Sequence, residues 1–151
     1  MAREAIRSIR KLAAFTGKRL LSIGYQYPWC DLNRVALDPL HFPGYFQNAA
    51  FVVTNMFHGT VFSIKYNRPF GVLDSVYRSQ KISGLLQPLG LLERVGPEDG
   101  SALIRAYGTP IEYQAVSALL REESGRSLQF LKQSLGALPG GSNPSTAIEA
   151  T

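Results

Sequence analysis

Two histidines and one cysteine are the only side chains here that ordinarily titrate near neutral pH, and His58 has the more telling neighbours. It stands in FVVTNMFHGTVFSI, residues 51–64. The run from Ala49 to Val53 is apolar and β-branched at its end, and reads as a buried strand. Thr54-Asn55 stop it. His58-Gly59-Thr60 follow, and Val61, Phe62 and Ile64 then resume at helical spacing. The reading is strand, tight turn, helix, with a histidine at the turn. Ligands of open α/β sheets bind at the carboxyl ends of strands. A helix start there offers unpaired N–H groups and the positive end of a dipole, which suit an anion. His58 beside such an anion has the chemistry to give or take a proton. The other reading is a histidine that caps the helix or hydrogen-bonds within the packing, and the residues leave both open.

The remaining composition narrows the function. Cys30 has no second cysteine to pair with, and no Cys/His cluster has metal-ligand spacing, so the expectation is a reducing, cytoplasmic setting without a metal. No apolar run approaches the ~20 residues that span a bilayer. The start, MAREAIRSIRKLAAF, is too interrupted by charge to be a signal peptide. The net charge of +5 is concentrated: Arg3, Arg7, Arg10, Lys11, Lys18 and Arg19 stand against Glu4 alone, while the rest of the chain balances, ten basic against ten acidic. Such a stretch reads as the solvated face of a helix, with association at the inner membrane face as the functional alternative. Nucleic acid is not expected, because no aromatics interleave with the basic residues.

The elements around the motif follow from periodicity. Residues 2–16 form an amphipathic helix with Ala5, Ile6, Ile9, Leu12 and Ala13 on one face, ended by Gly17. Leu20–Ile23 reads as a short strand. Tyr25 to Asp38 reads as a long loop in which Trp29 either stacks on a ligand or covers the core. Asp38-Pro39 or Phe42-Pro43 opens a short helix with Tyr45 and Phe46 inward. Phe70–Leu73 is a further strand, ending at Asp74. Residues 80–89 are helical by the spacing of Ile82, Leu85, Leu86 and Leu89, with Pro88 in the last turn or stopping the helix early. Residues 95–108 have no clear assignment. Thr109-Pro110-Ile111-Glu112 reads as a capping box that starts a long helix through Leu135, with Gly125 as a candidate interruption. Alternating helices and strands imply an α/β domain with a parallel sheet. Only three strands are convincing, a thin sheet for 151 residues. The expected division is a domain over 1–136 and a disordered Gly/Pro/Ser-rich tail over 137–151.

The stretch VVTNMFHGTVFSIKYNRPF resembles the signature of the polysaccharide pyruvyl transferase family, with Thr54, Asn55, Phe57, His58, Gly59, Thr60, Phe62, Pro69 and Phe70 in place. RSQKISGLLQPLGLLER is similar to a following family segment, with Lys81 where an Arg is usual. IEYQAVSALLREESGRSLQFLKQSL resembles the family's closing helix through Arg126, Ser127, Phe130 and Leu131. The resemblance covers roughly residues 2–136. Met56 stands where some members carry an Arg, which removes one phosphate contact. The family implies a Rossmann-like fold, and the chain resembles the C-terminal half of a two-domain, glycosyltransferase-B-like protein, truncated before its first strand.

By that resemblance the activity is transfer of pyruvyl from phosphoenolpyruvate, the donor substrate, to a sugar of an exopolysaccharide or a lipid-linked oligosaccharide, with no further cofactor. His58 is then the general acid. Thr54, Asn55, Gly59 and Thr60, with Arg78 and Lys81, are the substrate-binding candidates; for the last two, plain surface solvation weighs equally. The alternatives are a nucleotide-sugar-binding half of a glycosyltransferase, a non-enzymatic remnant domain and a gene fragment. If a central strand is missing, its neighbours near Leu20–Ile23 and Phe51–Thr54 expose unpaired edges. The chain is then expected to be marginally stable, to self-associate or to pair with a missing half, unless the gap closes and the two strands pair directly.

Overall fold

A computed structural model describes residues 2–73 and 79–136. The chain forms two compact units, Met1–Tyr113 and Gln114–Thr151. The first contains α1 (Arg3–Thr16), β1 (Leu21–Ile23), β2 (Leu32–Arg34), α2 (Phe42–Gln47), β3 (Val52–Thr54), α3 (Phe57–Lys65) and β4 (Phe70–Leu73). It continues with α4 (Ser79–Leu86), a 3-10 turn (Leu92–Arg94), β5 (Val95–Gly96) and α5 (Leu103–Gly108). The second is built on α6 (Tyr113–Gly136). The fold is α/β with parallel strands flanked by helices, in keeping with a Rossmann-like arrangement.

The strands do not form the single three-stranded sheet expected from the sequence. Among the described residues β1 pairs only with β2, and β3–β4–β5 form a second sheet; both are parallel. β4 lies between two partners and all four of its residues are buried, as a central parallel strand requires. Leu73 joins Ala5, Ile9 and Leu12 of α1 and Leu103 of α5 in one buried cluster. Strand alternation sends Phe70 and Val72 to the opposite face. Tight packing explains Gly71, where a Cβ would lie 2.8 Å from Leu103 Cδ2. α1 ends as expected: Gly17 is left-handed at φ 64°, and Lys18 N–H donates to Ala13 O. Arg3, Arg7, Arg10 and Lys11 are all exposed on its outer face.

Several expectations are corrected. The loop over 25–38 contains β2, and residues 95–108 contain β5 and α5. β3 is half-buried rather than buried, because its edge away from β4 borders a cavity. Thr109 does not start a helix. It closes α5, with both its N–H and its hydroxyl donating to Arg105 O. The long helix begins at Tyr113, after a segment pinned by Arg94. That guanidinium is 2% exposed and donates to Ala106 O at 2.6 Å and Pro110 O at 3.1 Å. α6 runs through Gly125 without interruption. α4 stops at Leu86, two residues before Pro88. The tail over 137–151 lies outside the described residues.

Candidate functional site

The turn between β3 and α3 is made by Thr54. Its hydroxyl oxygen accepts the Met56 N–H at 3.0 Å, which folds the chain back at once after the strand. Met56 occupies the N-cap position with extended backbone and supplies no side-chain cap. The first intrahelical bond is from Thr60 N–H to Met56 O, at 3.2 Å. The amides of Phe57, His58 and Gly59 therefore precede the helix's own hydrogen-bond ladder. His58 is the second helical residue, exposed, just past the carboxyl end of β3. Its ring meets that of Phe57 edge to face, centroids 5.9 Å apart.

Gly59 is dictated by the turn. A Cβ there would fall 2.3 Å from Thr54 Oγ1, the atom that holds Met56 N–H. The glycine after the histidine lets the helix start close against the end of the strand.

Thr60, a substrate-binding candidate from the sequence, lies inside the fold. It is fully buried, and its hydroxyl and amide both donate to Met56 O. Burial follows from its place one turn into α3, on the side that also buries Ser63 and Ile64. Thr54, Asn55, His58 and Gly59 do come together, all lining one cavity of about 880 Å³. Lys81 is exposed in the first turn of α4 and is not part of that lining. Arg78 lies outside the described residues.

The cavity also collects His41, Tyr25, Tyr27 and Cys30, which the sequence reading did not place there, and Trp29, for which it left ligand stacking open. His41 lines it, its Nδ1 2.9 Å from Asp38 Oδ2 in an exposed pair. The i, i+3 spacing of Asp38 and His41 was the available signal. Tyr25, Tyr27 and Trp29 stack in sequence along the same cavity, at centroid distances of 6.1 and 5.2 Å. Trp29 packs against the α1 core as well. Asn33 of β2 fixes this aromatic loop by accepting from Tyr27 N–H and donating to Tyr27 O. Cys30 lines the cavity too; burial, with the Asp31 carboxylate beside it, pushes its thiol above the usual range.

Fold and site together define a parallel α/β domain with a histidine at a strand-to-helix turn. The family model of polysaccharide pyruvyl transferase matches residues 3–75, from the start of α1 to just past β4. Over that span the chain is similar to polysaccharide pyruvyl transferases. The two later segments that also resembled the family in sequence lie beyond the match. No curated protein matches the chain, and no solved structure does. No helix among the described residues is long and apolar enough to cross a membrane.

Proposed function

We propose that this domain forms part of a pyruvyl-transfer site, with phosphoenolpyruvate as donor and a sugar hydroxyl pair as acceptor. The observation that carries the reading is the place of His58: exposed, in the first turn of α3, beside three helix-start amides, within the matched span. In the reaction one sugar hydroxyl adds to the enol carbon while a proton goes to the methylene carbon, which becomes a methyl. A second hydroxyl on the same sugar then displaces phosphate, and a cyclic ketal results. His58 is the group to supply the first proton. The amides of His58 and Gly59 suit the donor's phosphate or carboxylate. The Thr54 hydroxyl is occupied with the turn, so it shapes the site rather than binding substrate. Asn55, exposed at the turn, is a second polar contact.

On this reading the acceptor is a saccharide destined for a cell-surface glycan, and the protein works in the cytoplasm, with the basic face of α1 suited to the inner membrane surface. Pyruvyl transfer needs both substrates fixed at near-attack distance, and a histidine at one rim does not hold them alone. The 151-residue chain is therefore expected to bind the donor without turning it over, until a second domain closes on the site.

The test is titration with phosphoenolpyruvate, followed by ring-proton resonances of His58 and His41. Saturable shifts at His58 in the wild type, with loss of phosphoenolpyruvate binding by calorimetry in His58→Ala, support the reading. Binding of a nucleoside diphosphate without phosphoenolpyruvate would select a nucleotide-sugar transferase domain. Indifference to both anions would select a non-enzymatic domain.

A further inference from the structure

The two sheets turn unpaired edges toward the same space. In a parallel ladder, successive residues direct their N–H and C=O alternately to the two sides. Val52 N–H donates to Pro69 O at 2.9 Å, so Val52 and Thr54 point to β4, in keeping with the register of β3 on β4. Phe51 and Val53 therefore point the other way. On β1, Leu20 O accepts from Leu32 N–H at 3.1 Å, and Gly24 N–H donates to Arg34 O at 2.8 Å. Leu20, Ser22 and Gly24 thus face β2, and Leu21 and Ile23 face away from it. Phe51, Val53, Leu21 and Ile23 all line the cavity of about 880 Å³. Among the described residues, none hydrogen-bonds the amides or carbonyls that these four direct away from their ladders.

The other walls are apolar helices. Ile9 and Leu12 of α1 line the cavity, as do Phe42 and Phe46 of α2. A space with two backbone edges as sides and apolar helices as further walls has the surroundings of a central strand. Such strands are apolar on both faces and hydrogen-bonded on both sides.

We propose that the cavity is a strand slot: it takes one extended, apolar polypeptide segment of about five residues, ~17 Å long, running parallel to β3 and hydrogen-bonded to β1 and β3 at once. The occupant is a polypeptide rather than a small apolar molecule, because the slot offers unpaired backbone donors and acceptors at alternate positions on both sides. Burying such groups without partners is costly, and only another backbone matches their spacing. Insertion would join the separate sheets in the order β2–β1–guest–β3–β4–β5.

The test uses the whole chain and a soluble peptide of five alternating valines and alanines flanked by lysines. Trp29, the single tryptophan, reports binding by fluorescence, and amide hydrogen exchange reports the mode. The expected result is a saturable blue shift. The amides of Leu21, Ile23, Phe51 and Val53 should exchange at least tenfold more slowly, while those of Ser22, Val52 and Thr54 stay unchanged. A peptide N-methylated at alternate residues keeps its side chains but loses its donors, and should bind at least tenfold more weakly. Val53→Pro, which removes a slot-facing N–H and spares the ladder to β4, should do the same. The proposal is overturned if the N-methylated peptide binds equally well, which would make the cavity a plain apolar site. It is also overturned if the four amides are already protected in the free chain, or if the peptide does not bind.

Discussion

Replacing Gly59 by alanine tests whether the β3–α3 turn is as tightly built as its geometry indicates. At an open helical position the same change is favourable, by ~0.5–1 kcal/mol. At residue 59 the new methyl would sit 2.3 Å from Thr54 Oγ1 and 2.9 Å from Thr54 Cβ. Those atoms belong to the end of a strand, so relief requires turning the Thr54 side chain or backing α3 away from β3. Overpacking of this kind costs ~1–3 kcal/mol, and turning Thr54 also gives up the bond to Met56 N–H, worth ~1 kcal/mol. The expected net loss is ~2–3 kcal/mol. Gly84 supplies the matched control. It lies in α4 with nothing within 4 Å of where an alanine methyl would stand, so Gly84→Ala should stabilise.

Denaturant unfolding followed by Trp29 fluorescence reads both variants, because Trp29 belongs to the same compact unit as both glycines. The two substitutions should move the midpoint in opposite directions. The Gly59→Ala penalty should shrink by at least ~1 kcal/mol when combined with Thr54→Ala, which removes the nearest clashing atom. Equal effects of Gly59→Ala and Gly84→Ala, or full additivity with Thr54→Ala, would refute the argument. His58 should move with the turn, so any anion binding at the helix start should weaken in Gly59→Ala and persist in Gly84→Ala.

The remaining predictions concern three other groups. Arg94→Met should cost ~2–4 kcal/mol, because Ala106 O and Pro110 O lose buried partners, and Arg94→Lys should recover little, since an ammonium cannot fork to both; chemical denaturation measures each. Burial pushes the Tyr113 phenol up to about 12 from its ordinary 10.0, while its O–H donates to Arg68 O. A raised folded-state value means that this contribution to stability is complete below about pH 10 and is lost as pH rises through about 12. Melts of wild type and Tyr113→Phe should therefore lose stability with different slopes in that window and similar slopes below it. Cys30, its thiol raised by burial and then by Asp31, should alkylate more slowly at neutral pH than free cysteine; a faster rate would contradict the assigned environment.

The sequence carried the local features of this site and missed those made by distant partners. Val52–Thr54, the turn and α3 were legible because an apolar run, a turn and a helical spacing follow one another within fourteen residues. β2 was not legible, because Leu32-Asn33-Arg34 holds one apolar residue and is a strand only through its pairing with β1. Asp31 helps to hold that pairing by accepting Leu20 N–H at 2.6 Å. α5 spans six residues, too few for a periodic pattern. Thr109 carried a convincing start signal, yet the buried Arg94 fork holds Pro110 outside the helix, and that fork joins residues sixteen apart. The burial of Thr60 was not legible either: a hydroxyl after His-Gly suggests a ligand contact, and only the rotation of α3 shows it turned inward to Met56 O.

The separation of the two sheets also answers a question that the apolar runs raised but could not decide. Direct pairing of β1 with β3 would satisfy both edges at a spacing of ~4.8 Å, so an opposing constraint must hold them apart. α1 supplies it. Ile9 and Leu12 pack in one cluster with Leu73 of β4 and Leu103 of α5, and Ser8 Oγ donates to Asp99 O at 2.8 Å on the approach to α5. The chain from Gly17 to Leu20 is too short to let β1 travel independently of this helix. Closing the gap would drag α1 across its packing surface, exchanging several buried apolar contacts for a few backbone bonds. Each buried aliphatic side chain is worth ~1.5–3 kcal/mol, whereas a net backbone hydrogen bond is worth ~0.5–1.5 kcal/mol. The packing wins and the edges stay apart. Ile9→Ala and Leu12→Ala together should loosen that anchor. The expected result is new exchange protection at Leu21, Ile23, Phe51 and Val53 without any added peptide, as β1 moves onto β3. Unchanged exchange at those four amides in a folded variant would show that something other than α1 sets the separation.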